Sequence, residues 1–283
     1  MSVPAFSDIA KAPADLLTKD FYHLQQGNLE IKTKAPNGVG FTAKGKLAHG
    51  GSISGNIETK YQDKSSGLTL TQGWTTANVL DTKIELDEAF TPGLKGELAT
   101  SFLPVSGAKN AKLALHFRQP AFHARGFFDL LKGPTFTGDV TVGHDGFLGG
   151  AEIGYDILNG KITKYSAAVG YQAPLYTAAL TATDSLSVFS ASYYHKVNLA
   201  TEAGARAVWD SKTSQTVGLE VGAKHQLDSS AFAKAVVNSQ GIATVSYSQV
   251  LRPGVTLGLG LSADTQRLSE AAHKVGFSLS FTA

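Results

Sequence analysis

Alternation of apolar and polar residues with a period of two, repeated from near residue 27 to the end of the chain, constrains this sequence more than any other feature. Leu29, Ile31 and Thr33 alternate with Glu30, Lys32 and Lys34, and Leu113, Leu115 and Phe117 with Lys112, His116 and Arg118. Val217, Leu219 and Val221 alternate with Gly218, Glu220 and Gly222. The same holds for Val255, Leu257, Leu259 and Leu261 against Thr256, Gly258, Gly260 and Ser262, and for Val275, Phe277, Leu279 and Phe281 against Lys274, Gly276, Ser278 and Ser280. Successive side chains of a strand point to opposite faces, so each run reads as a strand with one apolar and one polar face. Turn signals separate the runs: Asn37-Gly38, Gly50-Gly51, Ser66-Gly67, Pro92-Gly93, Gly133-Pro134, Asp145-Gly146, Asn159-Gly160, Gln240-Gly241 and Pro253-Gly254. Short connections imply antiparallel hairpins. The runs predict roughly 18 to 20 strands of about 8 to 11 residues, the length a tilted strand needs to cross a bilayer. No linker divides the chain after them, so the division expected is a segment over 1–24 and one barrel over 25–283.

Alternation alone also fits a soluble sandwich with its apolar faces turned inward. Three observations favour the opposite orientation. A barrel of this strand number has a lumen too wide for side chains to fill, so its apolar face must meet lipid. A sandwich of this length should divide into two domains, and no division is visible. The polar faces are rich in Gly, Ser, Thr and Ala, which suit a crowded but solvated wall. Composition agrees: charged residues make up 17% of the 283, against roughly 25% in soluble domains. Mean hydropathy is close to zero, and no apolar run reaches the length of about 18 that a spanning helix needs. The expected fold class is therefore all-β, a transmembrane β-barrel.

The first residues follow another rule. Ile9, Ala10, Pro13, Leu16 and Leu17 share one face at helical spacing, while Lys11, Asp15, Thr18 and Lys19 lie largely on the other. Ser7 or Asp8 is the expected cap, and Pro13 either starts a second helical piece or kinks a continuous one. About twelve helical residues reach only some 18 Å, too short to span a bilayer. Such a helix reads either as a surface or core helix or, more sharply, as one resting against the wall of a wide lumen.

Chemistry of other kinds is missing from the sequence. A net charge of +2 with no Lys/Arg-rich run argues against nucleic-acid binding. There are no cysteines, and the eight histidines lack metal-ligand spacing, so no metal or other cofactor is expected. The string from Gly258 to Ala263 matches a dinucleotide fingerprint but lies within an alternating strand, so its glycines read as small wall positions. Acids and bases are spread along the strands rather than concentrated, unlike an enzyme. Asp8, Asp15 and Asp20 argue against a cleaved presequence. Parity points Lys32, Lys46, Lys60, Lys83, Lys95, Lys112 and Arg118 into the lumen, joined by Lys11, Asp15 and Lys19 on the helix. Inward acids such as Glu30, Glu85, Glu97, Asp139 and Glu220 nearly balance the inward bases. The excess is only about two charges, enough for a mild anion preference.

Several segments are more specific. Val3 to Lys11 (VPAFSDIAK) and Asp15 to Tyr22 (DLLTKDFY) closely resemble the N-terminus of fungal mitochondrial porins, the voltage-dependent anion channel family. Gly67 to Trp74, Thr91 to Lys95, Phe127 to Thr135, Leu251 to Gly258 and Lys274 to Phe281 extend the resemblance over essentially the whole chain. It implies a 19-stranded barrel, closed by parallel pairing of the first and last strands, with the helix inside the pore. It implies voltage gating in the mitochondrial outer membrane and weakly anion-selective passage of ions, ATP, ADP and phosphate. Gly93, Leu94 and Lys95 match a motif linked in that family to weak nucleotide contact. Lys274, Gly276, Leu279 and Phe281 match the sorting signal read by the outer-membrane insertion machinery. Further partners implied are the lipid bilayer with its sterols, a homo-oligomer and a docked kinase, none of which the residues themselves identify. Two departures stand out. Gln72 replaces a lipid-facing Glu of many animal members, and Val236 stands where the porin signature has a basic residue, with Lys234 two places earlier. The alternative barrel, a protein-import channel, usually has longer extensions and a more acidic interior. The gating element stays open between the helix and mobile parts of the wall.

Overall fold

The computed structural model describes residues 3–88, 91–131, 133, 135–213, 217–270 and 273–283. Nineteen strands form a single sheet. They are β1 (Gly27–Lys34), β2 (Gly40–Leu47), β3 (Ile53–Asp63), β4 (Leu68–Thr75), β5 (Leu80–Asp87), β6 (Leu94–Leu103) and β7 (Ala108–Arg118). Next come β8 (Phe122–Asp129), β9 (Thr135–His144), β10 (Phe147–Asp156), β11 (Lys161–Gln172), β12 (Tyr176–Thr183) and β13 (Val188–Lys196). The last are β14 (Thr201–Asp210), β15 (Gly218–Gln226), β16 (Ala231–Asn238), β17 (Ile242–Arg252), β18 (Val255–Asp264) and β19 (Lys274–Thr282).

Each strand pairs antiparallel with the next, and β1 also pairs parallel with β19, from Gly27 opposite Phe277 to Lys32 opposite Thr282. An odd number of up-and-down strands leaves the first and last running the same way, so a parallel seam closes the ring. Closure removes both sheet edges, as a lipid environment requires of backbone donors and acceptors. The glycine of each of the nine turn signals has positive φ, which is why those positions break the strands. Pro134, in one of those signals, lies outside the described residues.

The apolar strand residues are the exposed ones. Trp74 is 59% exposed and Val275 64%, whereas Ile9, in the N-terminal segment, is 2% exposed. Inside-out burial of this kind fits a barrel whose outer surface is covered by lipid. Ion pairs such as Lys44 with Glu30 lie on the opposite parity, toward the lumen.

The N-terminal segment differs from the helix expected of it. A 3-10 turn covers Phe6–Asp8, and the helix, α1, spans only Lys11–Thr18. Ser7 and Asp8 sit within that turn, and α1 starts from Ala10 without a side-chain cap. Pro13 falls in the first turn of α1, where its missing N–H has no helical partner to lose, so it neither kinks nor breaks the helix. The apolar face is as read: Pro13, Leu16 and Leu17 are buried while Lys11, Thr18 and Lys19 are exposed. A second 3-10 turn, Tyr22–Leu24, leads into β1.

Candidate functional site: the lumen and its N-terminal segment

The lumen wall has two unlike parts. Over β1 to β6 it is dense in paired charges. Glu30 lies 2.9 Å from Lys32 and 3.0 Å from Lys44. Lys83 bridges Glu85 at 2.7 Å and Glu97 at 2.9 Å, and Lys95 reaches Glu85 at 2.8 Å. Residues two apart on one strand, or opposite on the next, point the same way, so alternation itself builds these networks. Lys46 and Lys60 share this side, and neither meets a carboxylate among the described residues. Further round, Lys112 stands opposite Asp129, and Arg118 opposite His123. Arg125 holds Asp139 through both oxygens at 2.8–3.0 Å, with Asp139 only 3% exposed. Arg206 pairs with Glu220 at 2.6 Å, and Lys164, which parity had not assigned to the lumen, pairs with Glu152 at 2.5 Å.

From β9 to β19 many inward positions are small, and the N-terminal segment lies along them. Val3 and Ile9 pack with Leu148, Ala168 and Ala179 in the buried apolar cluster found among the described residues. The helix α1 rests on β13, β14 and β15. A methyl group added at Gly204 would come within 2.9 Å of Leu16, and one at Gly222 within 2.9 Å of Leu17. At Gly258, Gly260 and Gly276 the approach is closer still: the Tyr22 ring covers the first, and backbone of Tyr22, His23 and Gln25 the other two. The small wall positions expected at Gly258 and Gly260 therefore have a definite purpose. They form a trench for the chain entering β1.

Charges on the segment are paired locally. Lys11 meets Asp8 at 3.3 Å and Lys19 meets Asp15 at 2.7 Å. Donating to the Asp15 carboxylate raises the Lys19 ammonium above its ordinary range. Burial pushes the His23 imidazole down, with Lys274 and His49 adding to the effect. Lys234, on β16, stood in the sequence only as the basic residue two places before Val236, with no role assigned to it. It is 3% exposed and lies beneath the end of α1, donating to the main-chain oxygens of Asp15 and Lys19.

Gly93, Leu94 and Lys95 are not brought together toward one ligand. Gly93 has φ of 83° in the turn before β6, and its place against the Arg118 carbonyl admits no side chain. Leu94 and Lys95 then point to opposite faces, and Lys95 is already engaged by Glu85. In the C-terminal motif, Lys274 and Gly276 face the lumen, while Leu279 and Phe281 share the outward parity of Val275 and Phe277, both exposed.

Comparison with known proteins agrees with this architecture. The family model for eukaryotic porins matches residues 2–276. The mitochondrial outer membrane protein porin of Neurospora crassa is 57% identical over 99% of each chain. That of Candida albicans is 55% identical over the full length of both. The non-selective voltage-gated ion channel 1 of Saccharomyces cerevisiae is 45% identical, again over both full lengths. A closed 19-stranded barrel with a helix docked on its inner wall is thus joined to full-length similarity, and the chain belongs to the eukaryotic porin family.

Proposed function

We propose that the barrel is a voltage-gated pore of the mitochondrial outer membrane that passes small ions and metabolites and mildly favours anions. Nucleoside di- and triphosphates and inorganic phosphate are the permeants of interest. A channel rather than an enzyme fits the family and the wide, water-facing wall. The observation that carries the reading is the charge pattern over β1 to β6. Glu30, Glu85 and Glu97 there are held by lysines, and the inward lysines outside those pairs, Lys34, Lys46 and Lys60, outnumber the inward acids outside them, Glu58 and Asp81. Paired charges largely cancel at the distance of a passing ion, so the unmatched lysines set the sign of the field. The pull is weak because the excess is small, which accords with the word "non-selective" in the name of the yeast relative.

Residues 1–24 act in this reading as a unit apart from the barrel of 25–283, with Lys11, Asp15 and Lys19 facing the permeation path. Lys95 offers a passing phosphate at most a transient contact, shared with Glu85. Leu279 and Phe281, turned outward, suit recognition by insertion machinery at the lipid boundary. Planar-bilayer recording of the purified protein tests the reading. Large conductance steps that fall symmetrically as voltage rises, with a reversal potential mildly favouring anions, are expected. Electrical silence after verified insertion would sink it.

A further inference from the structure

We propose that Lys234 anchors the C-terminal end of the pore helix to the barrel wall, and thereby sets how readily the open pore closes. The inference rests on the voltage-gated reading above and adds a positioning residue to it.

A helix ends with carbonyls that lack helical donors. Beneath the end of α1, where the Asp15 carbonyl already accepts from the Lys19 amide at 3.1 Å, a barrel lysine adds a second donor and also reaches the Lys19 carbonyl. The Lys234 ammonium donates to the Lys19 main-chain oxygen at 2.8 Å and to that of Asp15 at 3.3 Å. The Asp20 carboxylate stands 3.7 Å away, and the Phe21 ring centroid lies 5.1 Å from the same nitrogen. Four features of the segment, from Asp15, Lys19, Asp20 and Phe21, therefore converge on one side chain from β16. A cation is also the charge that suits a helix C-terminus, where the aligned peptide dipoles leave partial negative charge.

Other contacts of α1 are of a different kind. Leu16 and Leu17 rest on Gly204 and Gly222 through dispersion and burial alone. Such contacts tolerate sliding and rotation. The Lys234 bonds are directional, so they fix the helix in register along the wall. When the helix lifts, lumen water can rehydrate the ammonium, so what is lost is the surplus of charge-assisted bonds over hydrated ones. That surplus corresponds to about tenfold or more in the docked-to-free ratio.

The chain has no cysteine, which makes paired spin labels at Thr18→Cys and Lys64→Cys unambiguous in liposomes. Lys234→Met keeps the stem and removes the charge. Expected are a broadened distance distribution, a closed-to-open ratio raised about tenfold or more at fixed voltage, and an unchanged thermal transition of the barrel. Lys234→Arg should restore both helix readouts at least in part. A narrow distribution with parental closure in Lys234→Met overturns the proposal, and so does a loss of barrel stability without any change at the helix. If Lys234→Met does not fold, Asp20→Asn with Phe21→Leu decides the matter, because both lie on the segment rather than the wall. Broadening and easier closure there support the anchor; parental behaviour overturns it.

Discussion

The two halves of the lumen wall solve different problems with the same backbone. Over β1 to β6, inward side chains are long and charged, and they meet one another across strands, as Lys83 does with Glu85 and Glu97. Over β9 to β19, many are Gly, Ala, Ser or Thr, and they meet the N-terminal segment instead. Water solvates the first half, where charge costs little. The second half gives up side chains so that a helix and a stretch of extended chain can approach the backbone. Selectivity is therefore expected to reside mainly in the first half and control of opening in the second.

Filling the trench should break this division most severely. Gly276→Val places branched carbon where the Tyr22 and Gln25 carbonyls lie, with an overpacking cost of about 3 kcal/mol. Protein refolded without insertion machinery should then form its barrel with residues 20–25 open to protease, while the parent resists cleavage there. Retained protection would mean that the trench has slack. Leu17→Ala, beneath which Gly222 leaves no room for compensating side chain, should weaken docking by about 2 kcal/mol. Faster hydrogen exchange across Lys11–Thr18, with strand exchange unchanged, is the measurement.

A charge reversal on the other half should sharpen the contrast. Lys60→Glu changes the lumen field on the helix-free side and is expected to move the reversal potential toward cations while voltage dependence stays near that of the parent. Lys234→Gln, sealed under the helix, should do the opposite. Recordings in which each variant altered both properties equally would erase the distinction. The N-terminal segment also carries little net charge of its own: Asp8, Asp15 and Asp20 against Lys11 and Lys19 leave one negative side-chain charge. A membrane potential of 100 mV acts on each unit charge with about 2.3 kcal/mol. Moving this segment alone thus couples weakly to voltage, and wall charges on the β9 to β19 side must share the sensing if closure is steep.

Most of the barrel was legible because alternation is a local signal. Strand number, turn glycines and outward apolar faces all follow from residues a few positions apart. The helix face was legible for the same reason, with Ile9, Pro13, Leu16 and Leu17 buried as their spacing demands. What stayed hidden depends on what lies across the lumen. Lys234 is flanked on its own face by Phe232 and Val236 and on the other by Ala233 and Ala235, so β16 shows no polar and apolar sides to read. Gly276 looked like part of a C-terminal signal, and only the docked segment reveals the space it must leave empty. The turn between β12 and β13 was missed because it uses no glycine: Asp184, Ser185 and Leu186 all take positive φ. The Ser187 hydroxyl, donating to the Asp184 carbonyl at 2.6 Å, closes it instead.

The smallest effect concerns a hairpin at the rim, outside both halves. Asp228, between β15 and β16, accepts from the Ser230 hydroxyl at 2.7 Å and the Ser230 amide at 2.6 Å. These bonds favour the ionised carboxylate and hold its pKa below the ordinary aspartate value. A carboxylate with a folded pKa below its unfolded one contributes stability above the unfolded value and loses it as pH falls through the folded value. Acid strong enough to protonate Asp228 should therefore loosen this turn. Ser230→Ala removes the hydroxyl donor but keeps the amide, so Asp228 should titrate higher than in the parent though still below a free aspartate. An NMR titration of the Asp228 carboxyl in detergent reads the shift directly. Because the group is exposed, conductance and selectivity at neutral pH should be untouched. A Ser230→Ala channel with altered gating would show that the β15–β16 rim communicates with Lys234 on the same strand, and that the two halves do not divide the work as cleanly as the wall suggests.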